Sequence, residues 1–179
     1  TPVIYSWHDW LASLVTDVVD QNDLPNLINT SQSKLLWEAC LRKEITNSEA
    51  NISNLTKLCR DTWQRLSDWE ISITEVARSA QSDDQKLFAS VAGSYLSILK
   101  RDNMIDDAGL AALILGLIQS EIILPSGRFT FVGFDLERPV IATMHQILKT
   151  IGAEVYLAPI TTVNTGLSLR TYEQCIYNW

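Results

Sequence analysis

Residues 129–157, FTFVGFDLERPVIATMHQILKTIGAEVYL, constrain the fold more than any other segment of the chain. The β-branched and aromatic residues from Phe129 predict a strand, and Pro139 is placed to begin a helix. Four apolar residues then recur at helical spacing: Ile141, Met144, Leu148 and Ile151. A second strand pattern, AEVYLAP, completes a βαβ unit. The two strands of such a unit are parallel, and a parallel pair needs covering helices and usually further strands.

The preceding residues, 1–124, predict helices and little else. Apolar residues recur there with helical periodicity, and residues suited to cap helices come before the apolar stripes: Ser6 with Asp9, Ser48, Ser82 with Gln85, and Asp106. The sequence therefore predicts a mainly α fold. We expect a helical bundle domain over 1–124, followed over 125–179 by a βαβ segment that is part of an α/β domain.

The carboxyl end, LSLRTYEQCIYNW, predicts the start of another helix that would reach Trp179 without a cap. Such a helix would be loosely held, because its last carbonyl groups would have no partners. Two predicted strands are also too few for a parallel sheet. We therefore expect the chain to be a piece of a longer protein.

Composition restricts the class of protein. With 46% hydrophobic and 20% charged residues, the chain should fold as a globular protein. Its net charge of −7 disfavours a large surface for nucleic-acid phosphates, which are bound mainly by Lys and Arg. The longest apolar run, residues 109–118, is too short to cross a bilayer, and no signal peptide is recognisable, so a cytoplasmic protein is expected.

The three cysteines, Cys40, Cys59 and Cys175, are widely spaced and predict buried thiols, not a zinc or redox site. Five tryptophans in the helical region allow two interpretations: Trp7, Trp10, Trp37, Trp63 and Trp69. Exposed aromatic rings could stack on single-stranded bases, but their helical spacing with Leu and Ile favours core packing. Trp69 fits the apolar stripe least well.

Carboxylates follow the first predicted strand, where open α/β sheets bind their ligands. Asp135 and Glu137, with His145 on the next helix, could form a metal or acid–base cluster. The competing interpretation is that the carboxylates favour the helix dipole and that His145 packs at the core margin. The sequence contains no G-x-x-x-x-G-K-[ST] motif, so it lacks the usual loop for nucleotide phosphates.

The segment RFTFVGFDLERPVIATMHQIL resembles the Walker B region of superfamily 1 DNA helicases. The GF after the strand is more specifically similar to AddB-type subunits of bacterial helicase–nucleases and to the related inactivated superfamily 1 helicases with a nuclease domain. TPVIYSWHDWL, SQSKLLWEACL and TYEQCIYNW are similar to other segments of that family and occur in the same order.

This resemblance implies a helicase-type helical insertion domain followed by one edge of a RecA-like ATPase domain. Aligning Pro139 with the family's proline puts Val132 and Gly133 where an active helicase has its magnesium-binding Asp and water-orienting Glu, with Phe134 and Asp135 after them. The implied Walker B site is degenerate, with no catalytic residue, cofactor or metal.

The function implied by the resemblance is non-catalytic: a helicase-like part of a bacterial DNA repair or recombination protein that scaffolds DNA and an associated nuclease. The full-length protein would bind DNA, and this chain would bind it weakly. Two alternatives stay open. One is a helical protein-interaction module without a DNA role, and the other is a small metal-dependent enzyme that uses Asp135, Glu137 and His145.

Overall fold

The computed structural model describes residues 3–16, 18, 24–45, 51–134, 136–158 and 175–178. These residues form mainly helices, as predicted: α1 (Trp7–Thr16), α2 (Thr30–Glu44), α3 (Ile52–Asp68), α4 (Ile73–Ser79), α5 (Asp83–Arg101), α6 (Asp107–Gln119) and α7 (Pro139–Thr150). The strands are short: β1 (Val3–Ser6), β2 (Asn26–Leu27), β3 (Met104–Ile105), β4 (Arg128–Val132), β5 (Glu154–Ala158) and β6 (Cys175–Asn178). None of the helices described is both long and apolar enough to cross a membrane.

The chain divides into two compact units. The sheet unit comprises Thr1–Asn22 and Ala111–Trp179, and the helical unit comprises Asp23–Leu110. This division differs from the predicted boundary after residue 124. The first residues belong with the sheet because β1 pairs with β6, a contact across the whole sequence that local patterns do not encode. The helical unit is thus a sequence insertion between two parts of the sheet unit.

The sheet unit contains a four-stranded mixed sheet in the order β1-β6-β4-β5. β4 and β5 are parallel, with Phe129 opposite Val155 and Phe131 opposite Leu157. Since α7 connects these strands, the predicted βαβ unit is confirmed. Pro139 occupies the start of α7, as predicted.

The prediction of a helix at the carboxyl end is wrong for residues 175–178, which form β6. This strand is antiparallel to both neighbours, and Ile176 lies opposite Phe131 of β4 and Tyr5 of β1. Ile176 is fully buried. Pairing on both sides satisfies the backbone of β6 without a helix, so the expectation of an unpartnered end does not hold for these residues. Trp179 lies outside the described residues.

Aromatic rings pack together within the core of the sheet unit. The indole of Trp10 contacts Phe129 and Phe131 edge-on, at centroid distances of 5.8 and 5.9 Å. The imidazole of His145 also lies edge-on to Phe131, at 6.4 Å. Because Trp10 and His145 reach the same ring, α1 and α7 cover the same face of β4.

In the helical unit, α2, α3 and α5 enclose a second core. Its buried members include Ile28, Trp37, Cys40, Leu41, Cys59, Val91, Ala92, Tyr95 and Leu99. The rings of Trp37 and Tyr95 stack at 4.3 Å, and Trp63 lies edge-on to both at 6.1 Å. Core packing is therefore confirmed for Trp10, Trp37 and Trp63, and Trp69 is half exposed. Cys40 and Cys59 are buried thiols, as predicted; the side chain of Cys175 is not described.

Most of the predicted helix caps are present. The amide of Asp9 donates to Oγ of Ser6 at 3.1 Å, and Ser82 with Gln85 forms a capping box at the start of α5. Ser48 was expected to cap α3, but α3 begins later and Asn51 is its cap. Ser48 itself lies outside the described residues. The prediction failed because Asn51 also has a capping side chain and lies closer to the apolar stripe.

Candidate functional site

The end of β4 is the position where the resemblance to helicases puts an acidic site. Val132 is the last strand residue, and Gly133 follows with a positive φ of 75°. The amide of Gly133 donates to the carbonyl oxygen of Ala158 at 3.0 Å. This hydrogen bond ties the turn to the end of β5. A positive φ is easily adopted by glycine and costs other residues energy, so the local sequence suits the turn and not a side-chain ligand.

Phe134 makes the environment of this strand end aromatic. Its ring lies edge-on to Phe131 at 5.2 Å and to Trp7 at 5.6 Å. Trp7 in turn lies 5.7 Å from Trp10. These contacts place a half-buried aromatic ring directly after Gly133. Such a cluster disfavours a hydrated cation, which needs oxygen ligands and water around it.

The α7 amino terminus lies at the same end of β4. Arg138 is its N-cap residue and makes no side-chain capping hydrogen bond, and Glu137 is exposed just before it. A carboxylate at this place is favoured by the helix dipole. Asp135, the other predicted carboxylate, lies outside the described residues.

His145 is positioned for packing against the sheet. Burial lowers the pKa of its imidazole, and the positive charge of Lys149 in the same helix lowers it further. The lowered pKa favours the neutral form of the ring, which lies edge-on to Phe131. In the described part of the chain, no three His, Cys, Asp or Glu side chains come together as a metal site requires.

A polar network around Asp106 was not predicted from the sequence beyond the capping role. Asp106 is only 5% exposed. Its Oδ2 accepts hydrogen bonds from Nε1 of Trp63 at 3.0 Å and from the hydroxyl of Tyr95 at 2.9 Å. Its Oδ1 accepts the amide of Gly109 at 3.1 Å, which confirms the predicted cap of α6. Ser33 extends the network through a 3.0 Å hydrogen bond to Tyr95.

Burial raises the pKa of the Asp106 carboxyl, while its three hydrogen bonds act in the opposite direction. The carboxylate borders a cleft of about 200 Å³ that is also lined by Arg60, Asp61 and Gln64. Because protein donors already engage both carboxylate oxygens, the network acts first as a structural link. No local signal indicates it, since Trp63 and Tyr95 lie 43 and 11 residues away in sequence.

Comparison with known proteins finds no family model that matches the chain and no curated protein that matches it.

Proposed function

We propose that this chain is the non-catalytic, helicase-like part of a cytoplasmic DNA repair or recombination protein, in which it scaffolds DNA and an associated nuclease. The observation that carries the proposal is the end of β4. The chain has a βαβ unit whose strand, turn and proline resemble those of helicases, but Val132 and Gly133 stand where the resemblance puts the two acids.

The chemistry of phosphoryl transfer supports the non-catalytic part of the proposal. That reaction depends on a loop that cradles phosphates, a lysine and a magnesium ion held by carboxylates. The sequence has no such loop motif. At the strand end, neither Val132 nor Gly133 can bind a metal through its side chain, and Phe134 packs into the aromatic cluster.

The place of the helical unit in the sequence supports the helicase-like part. Asp23–Leu110 is inserted between β1–α1 and the rest of the sheet unit. It also carries most of the lysines and arginines of the chain, including the exposed Lys57 and Arg65 on α3. If the chain contacts DNA phosphates, this unit has more cationic groups to offer than the sheet unit.

The DNA role is tested by fluorescence anisotropy with labelled single-stranded and duplex oligonucleotides. We expect binding weaker than about 1 μM at about 0.15 M salt, strengthening as salt is lowered. The double variant Lys57→Gln/Arg65→Gln should weaken binding at low salt. Arg128→Gln is the control, because its guanidinium already pairs with Glu154 at 2.8 Å.

Two results would argue against the DNA role. One is a complete lack of binding even at low salt. The other is equal loss of affinity in the Arg128 control and in the double variant, because binding would then not depend on the helical unit.

The main alternative function is a helical protein-interaction module without a DNA role. The acidic net charge of −7 favours it, and so does an apolar groove on the helical unit. Lack of DNA binding at low salt, together with specific binding of a protein partner, would select this alternative.

A further inference from the structure

The helical unit carries an apolar groove of about 430 Å³ between α3, α4 and α5. One wall is a face of α3, the opposite wall comes from α4 and α5, and Leu41 of α2 also contributes. The apolar lining residues are Leu41, Leu55, Leu58, Cys59, Leu66, Val76, Leu87 and Phe88. All of them belong to the helical unit, so the groove is a feature of that unit alone.

The length and spacing of the α3 wall match those of a helix. Its lining residues lie at Leu55, Leu58, Cys59, Thr62 and Leu66. Leu55 and Leu66 are eleven positions apart, which corresponds to roughly 16 Å, or three turns, along the helix axis. A partner helix with apolar residues at i, i+3 or i+4, and i+7 would present its side chains over about 10 Å, which fits within this length.

The groove is open to solvent at a large apolar side chain. Leu58 is 62% exposed although it lines the groove. Scattered exposed leucines are ordinary, but here the exposed leucine continues an apolar surface formed by three helices. A partner that covered Leu58 would bury this surface and gain hydrophobic free energy.

The charge of the residues that line the groove indicates the kind of partner that would bind there. Asp84, in the first turn of α5, is the only charged residue among the described residues that line the groove, and it is exposed. None of these described lining residues is a lysine or an arginine, which disfavours a phosphate backbone as the occupant. A basic side chain next to the apolar residues of a partner would complement Asp84.

We propose that this groove docks an amphipathic helix of a protein partner, with leucine-type residues at i, i+3 or i+4, and i+7 and a lysine or arginine beside them that pairs with Asp84. The inference stands on the groove itself and holds whether or not the chain contacts DNA.

The probes are two fluorescein-labelled synthetic helical peptides that carry the same leucine stripe. One has lysines flanking the stripe and the other has glutamates. Binding to the full chain is measured by fluorescence anisotropy, and circular dichroism checks that each variant is folded. We expect the lysine peptide to bind at least about tenfold more tightly than the glutamate peptide.

Matched variants locate the binding. Leu58→Asp should weaken binding of the lysine peptide about tenfold or more, whereas Leu35→Asp should leave it unchanged, because Leu35 is 65% exposed on α2 and does not line the groove. Asp84→Lys should reverse the preference between the two peptides. Asp83→Lys is its control, since Asp83 neighbours Asp84 but is not part of the lining.

Three results would overturn the proposal. The first is that neither peptide binds. The second is that the Leu35 and Leu58 variants lose affinity for the lysine peptide equally. The third is that the chain forms a dimer in sedimentation equilibrium and that Leu58→Asp abolishes this dimer. In the last case, a second copy of the chain occupies the groove.

Discussion

At the scale of single residues, Asp106 links three helices of the chain. Its carboxylate accepts hydrogen bonds from the indole of Trp63 on α3, the hydroxyl of Tyr95 on α5 and the amide of Gly109 at the start of α6. All three donors would lose this partner together if the carboxylate were removed. A buried donor without an acceptor costs more than the net value of the hydrogen bond it made.

We therefore expect Asp106→Ala to lower the free energy of unfolding by about 2–4 kcal/mol. The measurement is urea denaturation followed by tryptophan fluorescence. Asp102→Ala is the control, because its carboxylate lies on the surface and pairs with the neighbouring Arg101. A loss no larger than that of the control would show that Asp106 is dispensable for the helical unit.

The same residue predicts a pH dependence. The pKa of Asp106 in the folded chain is raised above its ordinary value of 3.8, chiefly by burial, so the folded state binds this proton more tightly than the unfolded state. Stability contributed by the protonated group is present below the ordinary pKa and is lost as pH rises through the folded pKa.

Denaturation of the wild type and of Asp106→Asn across acid to neutral pH checks this sign. We expect the stability of the wild type relative to the variant to fall as pH rises, because the variant has no proton to lose at this position. A relative stability that rises with pH would mean that the three hydrogen bonds outweigh burial and lower the pKa.

At the scale of secondary-structure elements, local patterns were sufficient where neighbours in sequence determine the element. The βαβ unit, the start of α7 at Pro139 and the capping box of Ser82 with Gln85 follow from such patterns. Local patterns gave the wrong structure for β6, because its residues form a strand by pairing with β1, the strand furthest from it in sequence. The Asp106 network was missed for the same reason, because two of its partners are distant in sequence.

Pairing on both sides makes β6 a protected element. Amide hydrogen exchange should be slower at Ile176 than at the edge strand β5, because opening β6 breaks two ladders whereas opening β5 breaks one. Exchange measured by mass spectrometry or NMR tests this expectation. Fast exchange at Ile176, comparable with that of peptides lacking structure, would instead support the loosely held end that the sequence alone predicted.

The buried side chain of Ile176 offers a second measurement on the same strand. Ile176→Ala truncates a fully buried side chain opposite Phe131 of β4 and should cost about 2–5 kcal/mol. Val3→Ala, at an exposed position of the edge strand β1, is the control and should have a much smaller effect. Equal losses in the two variants would contradict the buried placement of Ile176.

At the scale of the whole molecule, the two units carry different kinds of surface. The helical unit has the apolar groove and most of the cationic side chains, and the sheet unit has the aromatic end of β4. The proposed roles are correspondingly separate: partner and DNA contacts in one unit, and a non-catalytic strand end in the other.

The strand end gives the last prediction, which is that the chain neither binds nor hydrolyses ATP. Gly133 turns the backbone with a φ of 75°, and Phe134 packs against Trp7 and Phe131, so the two positions directly after β4 provide no carboxylate for magnesium. Glu137 is exposed, and an exposed carboxylate on a turn leaves magnesium mostly hydrated and weakly held.

Calorimetry with ATP and magnesium on the chain should show no binding tighter than about 100 μM. A phosphate-release assay with Asp135→Asn as the comparison completes the test. Tighter binding, or turnover that this variant abolishes, would restore the enzyme alternative and contradict the assignment of a degenerate site.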